Sequence, residues 1–485
     1  MNRRIVNAIA LSLSVVVLIL VLAFFRGTGH VVALHPTGSV TPPNVILISV
    51  DTLRLDHLGC YGYGRDTSPF IDRLASEGVL FENHISSTSW TLPAHAALFT
   101  SLSDSVHGCT DADRVLQDKH ITLAERFADA GYETAGFFSG PYLHPAFGLG
   151  QGFDLYQNCT SYRQVIDARP PSDWVEGDDM ARMAQADITS PTVYQAVSSW
   201  LAGHGESKFF MFIHLFDVHQ DFTPPPPYDT MFDPDYDGSF TGKDFFYNKL
   251  VNADMPERDL EHLLALYDGE IAWTDYHIKK IVEELDRRGL LASSIIALTS
   301  DHGTEFFEHG WKGHRMTLYD EVVRIPLVIR YPARLAGGVR VAEQTRSIDV
   351  GPTLLELAGL RAPEDVMGHS LLAAASGDEL AFDNLALTEL FSVGRNMRSV
   401  RTIQWKFIHD RVNDDGYYFD LIDDPRELRA VRNFSPSIKR EISTSFARAL
   451  ATLSAFSARL EATAEGSDIP PEVLAQLKSL GYVGD

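Results

Sequence analysis

The sequence predicts an α/β protein with a three-layer architecture, in which helices cover both faces of a mostly parallel central sheet. Continuous apolar runs occur at residues 44–50, 209–216 and 294–300, as is typical of parallel strands buried on both faces. Segments with helical periodicity separate these runs. The runs end in Asp51, Asp217 and Asp301. Because the carboxyl ends of parallel strands meet at one edge of the sheet, we expect these aspartates to converge there.

The N-terminus predicts a membrane anchor over residues 1–26. Arg3 and Arg4 precede a run of 21 uncharged, mostly apolar residues at 5–25. A spanning helix needs about 20 such residues, whereas the core of a signal peptide has about 7–15. A removed signal peptide is the alternative. The basic end should remain in the cytoplasm, so we predict an extracytoplasmic chain, periplasmic or extracellular, after a linker at 27–43.

Further elements follow in order between residues 44 and 375, which we predict to form the catalytic domain. Helical spacing occurs at 69–78, 121–130, 191–203 and 259–288, and strand-like runs occur at 132–139 and 325–330. The acidic segment 161–190 has no clear period and predicts a surface excursion. The proline-containing segment 224–258 predicts a long loop over a site.

The pattern changes after about residue 380. Short strand-like segments at 385–390, 399–409 and 417–421 have no crossover helices between them, and a helical segment follows at 436–460. We therefore predict a small α+β C-terminal subdomain over residues 376–485.

The net charge limits the kinds of partner that the chain can bind. The net charge is −24, which argues against a nucleic-acid-binding protein, because such proteins need basic patches. An anionic substrate remains compatible with this charge, because a bound cation can reverse the local field.

Four residues form a candidate metal site. Asp51 and Asp301 supply carboxylates, His302 supplies an imidazole, and Thr91 supplies a hydroxyl. Gly303 relaxes the backbone after His302, so that adjacent side chains can reach one ion. This mixed oxygen and nitrogen set suits a hard or borderline divalent cation, and we expect calcium, zinc or manganese. The alternative is that Asp301, His302 and Gly303 only form a turn.

Thr91 is the candidate nucleophile. It opens the segment Thr91-Leu-Pro-Ala-His95, which leads into an Ala- and Leu-rich stretch of helical character. A free hydroxyl is a weak nucleophile, but metal coordination and the positive end of a helix both lower its pKa. A helix-capping role for the threonine is the alternative, and it is compatible with metal binding.

Other residues near these motifs are candidates for substrate contacts. We assign His219, His314 and Lys312 to catalysis; with Asp217, the two histidines are candidates for substrate binding or for a second metal, which stays open. Supporting or structural roles are predicted for His95, Glu308 and His309.

Several blocks resemble the sulfatase family of the alkaline-phosphatase-like superfamily. They are the strand and loop at 44–62, the Thr-Ser-Asp-His-Gly-Thr block at 299–304, the Tyr-Asp-Glu-Val-Val-Arg-Ile-Pro-Leu block at 319–327, and the blocks at 349–359 and 418–425. The likeness covers about residues 43–485. It implies the three-layer sulfatase-like fold, a divalent metal and hydrolysis of sulfuric esters.

The nucleophile motif departs from the family pattern. Family sulfatases carry Cys or Ser in a Cys/Ser-x-Pro-Ser-Arg motif that is oxidised to formylglycine, whereas this chain has Thr91-Leu-Pro-Ala-His95. We therefore expect no formylglycine. A metal-bound threonine instead resembles the superfamily's phosphodiesterases and its membrane-anchored phosphoethanolamine and glycerophosphate transferases.

These departures leave three functions open. The first is hydrolysis of a sulfate or phosphate ester, with a sulfated or phosphorylated glycan or lipid as substrate. The second is a phosphodiesterase or a transferase that passes the group from the threonine to another hydroxyl. The third is an inactive member of the family that serves in binding.

Overall fold

The computed structural model describes residues 42–160, 188–204 and 207–461, except 381, 383, 393 and 434. The predicted anchor at 1–26, most of the linker at 27–43 and most of the excursion at 161–190 lie outside these residues. Within the part of the chain that is described, no helix is both long and apolar enough to cross a membrane.

The strands, in chain order, are β1 (Asn44–Val50), β2 (Val79–Ile85), β3 (Glu133–Phe138), β4 (Leu155–Asn158), β5 (Phe209–Leu215), β6 (Ser294–Ser300), β7 (Glu305–Phe306), β8 (Lys312–Gly313), β9 (Arg324–Arg330), β10 (Val339–Arg346), β11 (Ala386–Leu390), β12 (Met397–Arg401), β13 (Trp405–Asp410) and β14 (Asp415–Asp420). The α-helices are α1 (Pro69–Glu77), α2 (Thr91–Thr100), α3 (Asp104–His107), α4 (Leu123–Asp129), α5 (Ser190–Gly203), α6 (Glu257–Arg287), α7 (Asp320–Val323), α8 (Val350–Leu357), α9 (Leu372–Ala375) and α10 (Pro436–Glu461).

The central sheet has eight strands in the order β10-β2-β9-β6-β1-β5-β3-β4. β1 lies between β5 and β6 and pairs with both in parallel. β9 pairs in antiparallel fashion with β2 and β6, and the remaining pairs are parallel. The prediction of a large, mostly parallel sheet in a mixed α/β fold is therefore confirmed.

Helices cover both faces of this sheet, which explains the continuous apolar runs. Along β1, Val45 and Leu47 belong to one buried cluster, whereas Ile46 and Ile48 belong to another. The first cluster includes side chains of α2, α4 and α8, and the second includes side chains of α1, α5 and α6. Burying a Val, Leu or Ile side chain stabilises a fold by about 1.5–3 kcal/mol, so both faces of β1 contribute to the core.

The strands that the sequence did not predict lie toward the sheet edges or break the apolar pattern. β2 carries the partly exposed Glu82 and Asn83, and among the described strands β10 pairs only with β2. Both strands are only partly buried, so polar residues interrupt their apolar residues and the sequence shows no continuous apolar run there. The predicted strand at 325–330 corresponds to β9.

A second, antiparallel sheet of order β11-β12-β13-β14 follows, and α10 packs on it through Ile442, beside Val400 and Trp405. The prediction of one strand over 399–409 is wrong, because β12 and β13 are separate strands. The Thr402 hydroxyl accepts hydrogen bonds from the backbone N–H groups of Gln404 and Trp405, which stabilises the turn between them. No glycine or proline marks this turn in the sequence. The domain boundary at 375/376 stays a prediction.

Candidate active site

The candidate site begins where β1 and β6 end side by side. Val50 pairs with Ser300, so Asp51 and Asp301 leave adjacent strands at the same level. Both aspartates are buried. The backbone N–H of Thr52 donates to Asp301 Oδ1 at 3.2 Å, which links the two strand ends. The sheet register therefore brings together two acids that are 250 positions apart.

The neighbouring His302 presents one nitrogen to these acids. Its Nδ1 lies 2.8 Å from the carbonyl oxygen of Gly303, which can only accept, so Nδ1 donates to this oxygen and Nε2 is the nitrogen that faces the acids. Nε2 lies 3.3 Å from Asp301 Oδ2 and 3.9 Å from Asp51 Oδ1. The backbone N–H of His302 donates to Asp301 Oδ1 at 2.8 Å, which holds the Asp301 carboxylate next to His302.

Thr91 is the first residue of α2, and Trp90 occupies the N-cap position. The threonine is buried, and its Oγ1 lies 3.4 Å from Asp51 Oδ2 and 3.3 Å from His302 Nε2. The hydroxyl therefore faces the acids and the imidazole, and the alternative that Thr91 is the helix N-cap is wrong.

The geometry fits a cation. Asp51 Oδ1 and Asp301 Oδ2 are buried and have no hydrogen-bond partner among the described residues. Burial raises the pKa of Asp51, and His219 and His302 offset part of this rise. Possible ligand atoms of Asp51, Asp301 and His302 lie within 4.8 Å of one another. Unpartnered buried carboxylate oxygens are unfavourable unless something compensates them, and a divalent cation would do so.

His95 supports the first turn of α2. Its Nδ1 lies 2.9 Å from the carbonyl oxygen of Thr91, and its Nε2 lies 3.0 Å from Ser49 Oγ. Nδ1 therefore donates to the carbonyl, and the Ser49 hydroxyl donates to Nε2. Burial lowers the pKa of His95 to about 3, so the ring is neutral. A neutral ring with a hydrogen bond at each nitrogen fits the predicted supporting role of His95.

His214 is a site residue that the sequence analysis missed. It lies in β5, is fully buried, and places Nε2 3.5 Å from Asp51 Oδ2. Possible ligand atoms of His214, His95 and Asp301 also lie within 4.8 Å of one another. In the sequence, His214 could have been found as the one charged or titratable side chain within the apolar run 209–216. In the structure, it pairs with Ser49 of β1.

His314 lies beside His302, and His219 lies beside His314. The ring centroids of His314 and His302 are 4.5 Å apart, and those of His219 and His314 are 5.2 Å apart. Burial lowers the pKa of His219 and lowers that of His314 further. The structure thus brings both predicted histidines to the site.

Asp217 has structural partners instead. Its carboxylate accepts hydrogen bonds from the N–H and hydroxyl of Thr189, from the N–H of Ser190 and from the indole of Trp273. It therefore holds the start of α5. The predicted role in substrate or metal binding has no counterpart in these contacts.

Lys312 also has structural partners. Its ammonium donates to the carbonyl oxygens of Phe245 and Val251 at 2.6 and 2.7 Å. Lys312 thus donates to the loop between β5 and α6, and its predicted role in catalysis has no counterpart in these contacts.

Glu308 and His309 shape the surroundings of the β7–β8 hairpin. Glu308 accepts from Arg54 at 2.5 Å and from the N–H of Phe306 at 2.6 Å. His309 lies 2.5 Å from Glu321 and stacks on Tyr319 with ring centroids 3.6 Å apart. These contacts agree with a supporting position, since both residues bind protein groups.

Comparison with protein families identifies the class. The sulfatase model matches residues 43–360, and the model described as N-sulphoglucosamine sulphohydrolase, C-terminal, matches residues 307–455. The first match covers more than half of the chain. This chain belongs to the sulfatase family, whose members are sulfuric ester hydrolases.

Individual relatives support this assignment over most of the chain. An N-acetylglucosamine-6-O-sulfatase of Bacteroides thetaiotaomicron is 23% identical over 470 residues, covering 80% of this chain and 82% of that protein. An arylsulfatase of Clostridium perfringens is 26% identical over 446 residues, covering 81% of this chain and 90% of that protein.

Solved structures share the fold. A protein in complex with its substrate D-glucosamine-2-N,6-O-disulfate has a TM-score of 0.71 at 20% identity, covering 86% of this chain and 99% of that chain. The phosphonate monoester hydrolase of Agrobacterium radiobacter has a TM-score of 0.67 at 23% identity, covering 85% and 95%.

Proposed function

We propose that this chain is a metal-dependent hydrolase of sulfate esters in which Thr91 is the nucleophile. The observation that carries this proposal is the position of Thr91 Oγ1, 3.4 Å from Asp51 Oδ2 and 3.3 Å from His302 Nε2. A hydroxyl in these surroundings has a proton acceptor beside it and lies in the positive field of a helix N-terminus.

Asp51, Asp301 and His302, with the Thr91 oxygen, would hold the divalent cation. When bound, the cation would lower the pKa of the hydroxyl and offset the charge of the ester. The choice among calcium, zinc and manganese, and the presence of a second ion, belong to this proposal as questions for metal analysis.

The residues have distinct tasks in the reaction. Thr91 Oγ1 forms a bond to sulfur while the bond from sulfur to the leaving oxygen breaks. The hydroxyl proton passes to Asp51, and His219 or His314 gives a proton to the leaving oxygen. An anionic ester favours the protonated form of these imidazoles, against the effect of burial. Water then attacks sulfur, the bond from sulfur to Thr91 Oγ1 breaks, and the proton on Asp51 returns to Oγ1. The histidine takes a proton from the attacking water, so sulfate is released and both the hydroxyl and the proton donor are restored.

A phosphorus ester is the second candidate substrate. Threonine is not expected to yield formylglycine, and a phosphonate monoester hydrolase shares the fold. The glucosamine disulfate bound by another structural relative favours a sulfated sugar. A phosphodiesterase or transferase would use the same threonine ester, and the transferase would pass it to an acceptor hydroxyl rather than to water.

We expect a substrate panel to decide among these chemistries. Nitrophenyl sulfate, phosphate monoester, phosphate diester and phenylphosphonate would be tested on wild type, Thr91→Ala and Thr91→Ser. Thr91→Ala should lower kcat by about a thousandfold or more on the preferred ester, and Thr91→Ser should retain more activity, because it keeps a hydroxyl. Turnover that persists in Thr91→Ala would refute the nucleophile assignment.

Metal content is a second test. We expect Asp301→Asn and His302→Ala to lose both the bound divalent ion and activity, because each removes a ligand. Elemental analysis of the purified proteins would measure the ion, with His409→Ala, a partly exposed histidine of β13, as the control. Unchanged metal content in both site variants would refute the ligand set, and absence of a stoichiometric ion and of turnover in wild type would favour the binding-protein alternative.

We also propose that residues 1–26 anchor the chain and place the catalytic domain outside the cytoplasm. The basic residues before the apolar run support this orientation. Fractionation of cells, followed by protease treatment of intact spheroplasts, would test it. Recovery of the full-length chain in the soluble cytoplasmic fraction would contradict the proposal.

A further inference from the structure

The loop at 244–251, between β5 and α6, carries apolar side chains on the surface. The side chains of Phe246, Tyr247 and Leu250 are 36%, 42% and 77% exposed, respectively. Exposed large apolar side chains are common singly, but three within five residues of one loop provide apolar surface that a ligand can cover, and we call these three side chains the patch.

Two charged side chains hold this loop in place. The Asp221 carboxylate accepts hydrogen bonds from the N–H groups of Asp244 and Phe245 at 2.6 and 2.8 Å. The Lys312 ammonium donates to the carbonyl oxygens of Phe245 and Val251. Hydrogen bonds to charged groups are stronger than those between neutral groups, so both ends of the loop are fixed. Phe245 itself is fully buried, so the exposed patch is not the result of a loosely packed segment.

The patch adjoins the candidate site through Phe246. A side chain at Gly313 would place its Cβ 2.5 Å from Phe246 Cζ, so the ring lies directly over this glycine. The Phe246 and His314 ring centroids are 6.3 Å apart, and the His314 ring lies 4.5 Å from that of His302. Gly313 also has a φ of +76°, which a side chain would disfavour. An aromatic ring thus lies next to His314, one of the two histidines that we propose as proton donors to the leaving oxygen.

We propose that loop 244–251 forms a binding subsite for an apolar leaving group, an aryl ring or an alkyl chain, and that Lys312 is the positioning residue of this subsite. The proposal rests on the proposed function, because it uses the position of His314 beside the reacting ester. Removing apolar surface from water is favourable, so a ring or chain that packs against Phe246 gains affinity that a small or strongly hydrated leaving group does not. The two carbonyl contacts of Lys312 explain why it would not hold the anionic end of the substrate.

The first test compares leaving groups in Phe246→Ala. For nitrophenyl sulfate, or the matching ester of the class that the substrate panel identifies, KM should rise about tenfold, equivalent to about 1.4 kcal/mol. KM for the methyl ester and inhibition by inorganic sulfate or phosphate should stay unchanged. Ile422→Ala, which removes a 67% exposed side chain of the C-terminal subdomain, is the control and should change neither value. An octyl ester would distinguish alkyl from aryl preference.

The second test separates the two interpretations of Lys312. If Lys312 positions the loop, Lys312→Met raises KM for the nitrophenyl ester while the inhibition constant of inorganic sulfate or phosphate is kept. The double variant with Phe246→Ala should then lose less than the sum of the single losses, because both act on one subsite. Weaker inhibition by the inorganic anion in Lys312→Met would overturn the proposal and restore the role of anion ligand.

Direct binding keeps this inference separate from the proposed function. Calorimetry on Thr91→Ala would measure binding of nitrophenyl and methyl esters without turnover. If wild type shows no turnover of any ester, the proposed function fails, yet a preference for the nitrophenyl ester that Phe246→Ala removes would still support the subsite. Equal binding of both esters, unaffected by Phe246→Ala, would refute the subsite.

Discussion

His95 shows how a single side chain can position the proposed nucleophile, Thr91. Four positions separate it from Thr91, so both lie on one side of the first turn of α2, where the His95 ring bonds the Thr91 carbonyl. The Ser49 hydroxyl fixes the other ring nitrogen from β1. The ring therefore connects α2, which begins with the proposed nucleophile, to β1, which ends immediately before Asp51.

We expect His95→Ala to lower kcat by about 10–100-fold, the range typical of residues that support a metal site. The reason is loss of the Thr91 position, so the inhibition constant of inorganic sulfate or phosphate should change less than kcat. Steady-state kinetics together with circular dichroism would measure this. A variant with wild-type kcat would show that α2 holds Thr91 without the imidazole.

At the scale of elements, the β7–β8 hairpin carries a buried acid, Glu305, whose pKa is raised, whereas that of the nearby Glu308 is lowered. Glu305 is fully buried, and its Oε1 has no hydrogen-bond partner among the described residues. Burial, together with the charges of Glu321 and Glu308, raises the pKa of Glu305 to about 8. The Thr317 hydroxyl donates to the other oxygen at 2.9 Å. The folded state therefore favours the protonated carboxyl.

This shift predicts that stability falls as pH rises. The folded pKa lies above the unfolded value of about 4.5, so the contribution is complete below that value and is lost as pH rises to about 8. The loss is at most about 1.4 kcal/mol per pH unit. Glu305→Gln should unfold at higher denaturant concentration than wild type at pH 8, with a smaller difference at pH 5. Glu283→Gln, on the exposed face of α6, is the control, and an equal difference at both pH values would contradict this account.

At the scale of the whole molecule, a buried charge network joins α7 to the C-terminal sheet. The Lys406 ammonium, on β13, lies 2.9 Å from Asp320 of α7 and 2.9 Å from Glu427, and is fully buried. Arg401 adds a second cation to Asp320. The chain after Asp301 and His302 passes through the β7–β8 hairpin to α7, and α7 contacts the second sheet through Asp320.

Removal of one partner from such a network leaves a buried charge without compensation. We expect Lys406→Met to lower the free energy of unfolding by about 3–5 kcal/mol at neutral pH. Denaturant unfolding would measure it, with Lys279→Met as the control, because that lysine forms an exposed pair with Glu283. Exposed pairs contribute about 0–1 kcal/mol. A loss no greater than that of the control would show that Arg401 alone neutralises Asp320.

The central sheet and the convergence of Asp51, Asp301 and His302 follow from the sequence, because strands buried on both faces have a local signature and parallel strands end at one edge. The position of Thr91 at the start of α2 also follows, because the segment from Thr91 to His95 leads into a stretch of helical character. β2, β10 and the β12–β13 turn did not follow, because partial burial and a threonine-stabilised turn leave no comparable pattern.

By itself the sequence determined the kinds of chemical group and the edge at which they meet. Only the tertiary structure decided which partner each side chain takes: the Asp217 carboxylate holds α5, Lys312 holds loop 244–251, and His214 enters the site from β5. The physical reason is that strand ends are set by local burial patterns, whereas the hydrogen bonds of a side chain depend on groups that are distant in the chain and that folding brings within 3–4 Å.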